Sequence, residues 1–140
     1  MQFLKVDDLT THSFERFIDE SSADFVQARD HSEAQNIALM KSKLNDRYDV
    51  EAIFNKTGTD RNPVIVRILS FLVIHDIISR NKARKIPEDI SENYKWALQY
   101  LEEIRNRMAS PDGLPVLTDE QGNPKRSAIW GNNSNENFYL

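Results

Sequence analysis

The feature that most constrains this chain is an apolar run that begins at Asn62-Pro63 and continues to about Arg80. It is too long for an ordinary strand, Asn62 is a good N-cap and Pro63 a good first helical residue. The polar residues that interrupt the run recur at helical spacing. The run therefore predicts a helix that is apolar almost all round. Such a helix must be covered by other helices or by copies of the same protein, so we expect oligomerisation.

Two further helices are predicted around this one. The first opens at Pro87, ends near Met108, and is closed by the turn formers of residues 110–113. Its apolar residues recur at steps of three and four: Ile90, Tyr94, Ala97, Leu98, Leu101, Ile104 and Met108.

The other helix is predicted to begin near Ser32 and to carry one apolar stripe, formed by Ile37, Met40, Leu44 and Tyr48. Residues 49–54 either continue it or form a separate turn, and residues 56–61 read as a loop. The first thirty residues suggest short helices joined by tight turns, with apolar positions that include Phe14, Phe17 and Ile18.

Turn formers collect at one end of the chain. Three of the four glycines (Gly113, Gly122, Gly131) and three of the five prolines (Pro111, Pro115, Pro124) lie beyond Ser110. We predict a helical body over residues 1–109 and a C-terminal arm over residues 110–140. The predicted fold class is all-α, a small helical bundle with an extended, irregular arm or a short hairpin after it.

Composition excludes several classes of protein. Without cysteine the chain has no disulfide scaffold, thiol chemistry, iron-sulfur cluster or usual structural zinc site. A net charge of −4 does not suit a general nucleic-acid coat. Neither an export signal nor a membrane-spanning run is apparent, so we expect a protein that is soluble, made in the cytoplasm and not bound to a membrane.

The sequence offers little for catalysis. His12, His31 and His75 lie far apart and form no metal-binding pair on one helix face. We interpret His75, beside Asp76, as a hydrogen-bonded packing residue rather than a catalytic base. The residues Gly58-Thr59-Asp60 lack the partners of a phosphate loop. We therefore expect neither an enzyme nor a cofactor.

A basic connection joins the two clearest helices and contains Arg80, Lys82, Arg84 and Lys85. The simpler interpretation is a solvated loop whose charges suit the C-terminal end of the preceding helix. The alternative is contact with an acidic partner or with DNA phosphates. No aromatic residue interleaves the cations, which disfavours stacking on single strands.

The terminal segment also has two interpretations. Residues 116–118 and 128–130, which include Leu117, Ile129 and Trp130, could form a weak hairpin before a free end. A free end would not normally keep Trp130, Phe138, Tyr139 and Leu140, because interfaces are enriched in aromatic residues. We favour an arm that becomes ordered against a neighbouring subunit or partner.

The order of several motifs resembles that of a family of small tailed-phage and prophage proteins, similar to the Mu-type head-tail joining proteins and more distantly to portal adaptors. The motifs are residues 38–50 (ALMKSKLNDRYDV), Arg61-Asn62-Pro63, Ser79-Arg80-Asn81, Arg84-Lys85-Ile86-Pro87 and Tyr94-x-x-Ala97-x-x-Tyr100-Leu101. The resemblance covers nearly the whole chain, and each motif is structural rather than catalytic.

The resemblance implies an all-helical subunit that forms an oligomeric ring, commonly twelve-fold, below the portal protein. The ring would extend the DNA channel without reading sequence and would dock the next neck or tail completion protein. Neither a cofactor nor a reaction belongs to that family. The alternative function is a small helical DNA-binding module that uses the basic loop of residues 80–85.

Overall fold

The computed structural model describes residues 1–11, 25–80, 85–118 and 121. The helices in these ranges are α1 (Val6–Thr10), α2 (Phe25–Leu44), α3 (Val50–Phe54), α4 (Pro63–Ser79) and α5 (Glu88–Arg105), with a 3₁₀ turn at Gly58–Asp60. Strand-like pairing between described residues is limited to an isolated antiparallel bridge from Tyr48 to Val116. The prediction of an all-α bundle is confirmed.

Helices α2, α4 and α5 pack against one another, with α1 on α4 and α3 on α2. Their buried side chains form one core. Its apolar members are Phe3, Leu4, Leu9, Met40, Leu44, Tyr48, Ile53, Ile65, Ile68, Leu69, Phe71, Leu72, Val73, Ile74, Ile77, Ile78, Ile90, Ala97, Leu101, Ile104 and Leu114. These elements therefore share a single hydrophobic core.

Helix α4 begins where the capping pair predicts. The Asn62 side chain accepts hydrogen bonds from the backbone N–H groups of Val64 and Ile65, Pro63 is the first helical residue, and the helix ends at Ser79. Ten of its seventeen residues are buried within the single chain. Of the two coverings that the sequence allowed, other helices of the same chain supply one, so the apolarity of α4 is not by itself an argument for assembly.

Helix α2 begins at Phe25, seven residues before the predicted start at Ser32. Ser32 and Asn36 are buried, and the Ser32 hydroxyl and the Asn36 amide each donate to the Asp76 carboxylate at 2.7 Å. None of the side chains described from Val26 to His31 is buried, and Ser32 and Asn36 meet α4 through hydrogen bonds, so the start of α2 has no apolar stripe to recognise.

The ends of the other elements differ from prediction in detail. Helix α5 stops at Arg105, and Met108 is 78% exposed in the turn that follows. Residues 49–54 do not continue α2. They form the separate short helix α3, whose start is capped by the Asp49 side chain as it accepts a hydrogen bond from the Ala52 N–H. Tyr48 is buried as expected but lies outside α2.

The first residues of the chain are bound to α2 by hydrogen bonds to one carboxylate. Glu33 is 2% exposed and accepts hydrogen bonds from the backbone N–H groups of Gln2, Phe3 and Leu4 at 2.6 to 3.0 Å. Helix α1 follows and confirms one of the short helices predicted there. The apolar positions at Phe14, Phe17 and Ile18 lie outside the described residues.

Candidate interaction surface at the start of the C-terminal segment

Residues 109–117, which we call the C-terminal strap, leave α5 and cross the end of the bundle. Pro111 and Leu114 are buried on the body. The predicted boundary between body and arm at residues 109/110 thus falls at the start of a stretch that packs on the body. The part of the predicted arm that is available to reach a partner therefore begins after Thr118.

Arg47 is the main polar anchor of the strap. Its guanidinium donates to the carbonyl oxygens of Ile104 at 2.7 Å and Ala109 at 2.9 Å, and to the Ser110 hydroxyl at 2.9 Å. The Ile104 carbonyl lies in the last turn of α5, where C=O groups lack partners within the helix, and it also accepts a hydrogen bond from the Arg107 N–H at 3.1 Å. Arg47 therefore caps α5 and fixes the first residues of the strap together.

The two residues after Arg47 hold the far end of the strap. The Asp49 N–H donates to the Pro115 carbonyl at 2.9 Å, and the Leu117 N–H donates to the Arg47 carbonyl at 3.4 Å. Between them lies the bridge of Tyr48 and Val116. The strap is consequently held by main-chain bonds as well as by the Arg47 side chain.

Asn62 holds the middle of the strap while capping α4. Its oxygen accepts from the first N–H groups of α4, and its Nδ2 donates to the Asp112 carbonyl at 2.9 Å. Gly113 follows with φ of +79°, in the left-handed region that favours glycine. The positive φ lets the chain turn immediately beyond this bond.

A second surface lies on the exposed side of α4 and α5. The Arg67 guanidinium lies 5.4 Å from the Phe71 ring centroid and 5.5 Å from that of Trp96. Trp96 stacks on Tyr100 at 5.3 Å with 9° between the rings, and it meets Phe71 edge-on at 5.8 Å. We call Arg67, Trp96 and Tyr100 the aromatic face. Trp96 remains 41% exposed although these contacts hold it in place.

A polar cleft of about 640 Å³ separates the first half of α2 from the end of α4. His31 and Gln35 line one side, and Asp76, Ser79 and Arg80 line the other. The cleft brings a cation and a carboxylate together. Within the described residues, no group of three or more histidine, cysteine or acidic side chains is arranged to hold a metal ion.

His75 lies beside this cleft and packs on α5. Its ring stacks on Tyr94 with centroids 3.7 Å apart, and its Nδ1 is buried without a hydrogen-bond partner, 4.0 Å from the Asp76 carboxylate. Burial lowers the pKa of His75 below its ordinary value, against the opposing charge of Asp76. The expected packing role agrees with this geometry, but the expected hydrogen bond is missing at Nδ1.

The structure locates some of the residues predicted for partner contact. Arg80 and Lys85 are exposed at the two sides of the connection from α4 to α5. Leu117 is half-buried and bonded to Arg47 at the end of the strap. The remaining candidates, Lys82, Arg84, Ile129, Trp130, Phe138, Tyr139 and Leu140, lie outside the described residues, as does the second half of the predicted hairpin.

Sequence reasoning did not single out Arg47, Asn62 or Trp96 as parts of a surface. Arg47 and Asn62 lie in two of the motifs that carry the family resemblance, and that was the only signal that linked them. Their meeting through the strap depends on contacts over 50 or more positions in the chain.

Comparisons with protein-family models, with curated proteins and with solved structures give no match to this chain. Among the helices in the described ranges, none combines the length and the apolar character that crossing a bilayer needs.

Proposed function

We propose that this chain is a structural virion protein, a head-tail connector subunit. In this proposal it assembles as an oligomeric ring below the portal protein and docks the next neck or tail completion protein. DNA passes through the ring without sequence-specific binding, and the subunit needs neither a cofactor nor a membrane. The observation that supports it most is the attachment of the strap to Arg47 and Asn62, which lie in two of the five motifs that resemble the connector family.

The ordered strap would help the segment that follows it to dock on a partner. A docking segment binds more tightly when its start is already ordered, because less conformational entropy is lost on binding. Two hydrogen bonds from Arg47 to Ala109 and Ser110, the bond from Asn62, the buried Leu114 and the main-chain bonds at Pro115 and Leu117 order the chain up to residue 117. The segment that follows contains Trp130, Phe138 and Tyr139, which suit the anchors of an interface.

The experiment is a truncation that keeps the strap. A chain ending at Thr118 should remain folded, because every described strap contact is retained. We expect it to fail to join tails to portal-bearing heads made without this protein, whereas the full chain completes infectious particles. Circular dichroism before and after heating checks that the truncated protein is folded. Particles completed equally well by the folded truncation would contradict the role of residues 119–140.

Assembly needs a separate measurement. The mass in solution is measured for the full chain alone and for the full chain mixed with purified portal protein. We expect the mass of a ring in the mixture, whether or not the chain also forms a ring alone. A ring uses heterologous contacts, in which one face of a subunit meets a different face of the next. A chain that stays monomeric with portal at micromolar concentration would count against the connector role.

The alternative of a DNA-binding module draws on the exposure of Arg80, just after α4, and of Lys85, just before α5. It predicts duplex affinity that falls steeply with added salt and that is weakened in an Arg80→Ala/Lys85→Ala variant. The connector proposal predicts only weak duplex binding, equal for all sequences. Fluorescence anisotropy with two unrelated duplexes at two salt concentrations separates these outcomes.

A further inference from the structure

The side chains of the aromatic face hold one another in place, while Trp96, at its centre, remains partly exposed to solvent. Trp96 is held by Arg67, Phe71 and Tyr100, yet 41% of its surface is exposed. A fixed aromatic ring loses little side-chain entropy when a partner covers it, and tryptophan, tyrosine and arginine are the residues enriched at binding hot spots. These features are those of an anchor site for a partner.

Space and charge beside this face further restrict the partner. Arg67 also lines an open cleft of about 530 Å³, together with Val66, Pro63, Arg61 and Lys5. Arg61 is engaged with the Asp8 carboxylate at 2.7 Å. Arg67 and Lys5 are both exposed cations at this cleft. The surface therefore suits an extended segment with aromatic side chains and few positive charges.

The chain contains such a segment after the strap. Between Ser127 and Leu140 the only charged side chain is Glu136, and the stretch includes Trp130, Phe138 and Tyr139. Twelve positions separate Trp130 from Thr118, which an extended chain can stretch to about 40 Å at roughly 3.3 Å per residue. That reach is comparable to the diameter of roughly 35 Å expected of a domain of this size, so Trp130 can extend to a neighbouring subunit.

We propose that the aromatic face of one subunit binds the C-terminal segment, residues 119–140, of a neighbouring copy. This inference rests on the proposed ring, whose subunits must make heterologous contacts. It deepens that proposal by assigning the receiving surface to Arg67, Trp96 and Tyr100 and the inserted anchors to the aromatic residues of the segment.

The test uses the full chain and a fluorescein-labelled peptide of residues 119–140, at a concentration at which the full chain is monomeric. Under these conditions no second subunit covers the aromatic face of the full chain, so we expect the peptide to bind there and its anisotropy to rise. Trp96→Ser and Arg67→Glu should each raise the Kd about tenfold or more. Val26→Ser is the matched control, because Val26 is 60% exposed and the residues that follow it line the cleft at the end of α4, whereas Arg67 lies near the start of α4.

Three results would overturn the inference. They are failure of the peptide to bind the full chain, equal binding by the aromatic-face variants, and binding that survives Trp130→Ala in the peptide. Thermal unfolding checks that each variant is folded, and Arg67→Glu decides the question if Trp96→Ser does not fold, since Arg67 is exposed. The peptide assay involves neither heads nor portal, so its failure is distinct from a failure of the connector proposal.

Discussion

Arg47 donates a hydrogen bond of 2.9 Å to the carbonyl oxygen of Ala109, a residue 62 positions further along the chain. The same guanidinium binds Ile104 and Ser110, so one side chain holds both the end of α5 and the start of the strap. The stability of the bundle and the placement of its C-terminal segment therefore depend on a common residue.

Replacing that residue should destabilise the fold. Arg47→Ala removes the charged donor of the Ala109 carbonyl and the Ser110 hydroxyl, while the Ile104 carbonyl keeps the Arg107 N–H, so we expect a loss of about 1.5 to 3 kcal/mol in the free energy of unfolding. Urea denaturation measures it. Lys41→Ala is the control, because it breaks an exposed ion pair with Glu51 that should contribute less than about 1 kcal/mol. Equal effects of the two substitutions would show that Arg47 does not hold the strap.

Two truncations should differ in stability although they end close together. A chain ending at Thr118 keeps the buried Leu114 and the Asp112 carbonyl that Asn62 binds, and it should melt close to the full chain. A chain ending at Ala109 exposes the Leu114 site, which alone corresponds to about 2 kcal/mol of apolar burial. We expect a clear fall in its thermal midpoint. Identical midpoints would mean that the strap only rests on the body.

Glu33 offers a test of the N-terminal attachment. Its carboxylate accepts three backbone hydrogen bonds, and the Phe3 and Leu4 side chains beside them are buried. Glu33→Ala should cost about 3 kcal/mol or more, because several N–H groups lose their acceptor together. Glu33→Gln keeps one acceptor oxygen and should cost less. Denaturant midpoints rank the two variants, and the reverse order would contradict the assignment.

Ser70 should be a position where removing a polar group stabilises the protein. It is fully buried in the middle of α4, and its hydroxyl has no hydrogen-bond partner. Ser70→Ala removes a desolvated polar atom without adding volume, so we expect a gain of about 1 kcal/mol in the free energy of unfolding. A loss of stability in the urea titration would indicate that the hydroxyl is satisfied after all.

The stability of the fold should fall in mild acid because of His75. Burial keeps the folded-state pKa of His75 below its ordinary value of 6.5, so the folded state favours the neutral ring. The corresponding stability is present above that ordinary value and is lost as the pH falls through it toward the lower folded-state pKa. His75→Phe keeps a ring against Tyr94 without a titrating nitrogen. Thermal midpoints at about pH 7.5 and about pH 5.5 should differ less in this variant than in the parent chain.

The parts of the fold that could be predicted are those in which local chemistry and burial agree. Asn62 and Pro63 mark the start of α4 because they satisfy its first N–H groups within three residues. Helix α5 has one continuous apolar stripe. Residues 25–31 of α2 escaped prediction because none of the side chains described from Val26 to His31 is buried and the first buried positions, Ser32 and Glu33, are polar, so no hydrophobic period marks this part of the helix.

The candidate surfaces were less accessible to sequence reasoning. Nothing local to Arg47 indicates that it meets Ala109, since the contact depends on how α2 and α5 pack. Trp96 and Tyr100 lie outside the predicted apolar stripe of α5, and only the position of Arg67 on α4 shows that they form one exposed stack. The aromatic residues after position 118 were recognised from composition, and their binding stays a prediction.

The double use of the Asn62 amide bears on how the protein is made. Its oxygen accepts a hydrogen bond from the Val64 N–H at the start of α4. Its nitrogen donates to the Asp112 carbonyl, which is synthesised 50 residues later. Domains fold as their chains emerge from the ribosome. The bond from Asn62 to Asp112 cannot form until the strap has left the exit tunnel, so the nascent chain caps the start of α4 before the strap is held in place.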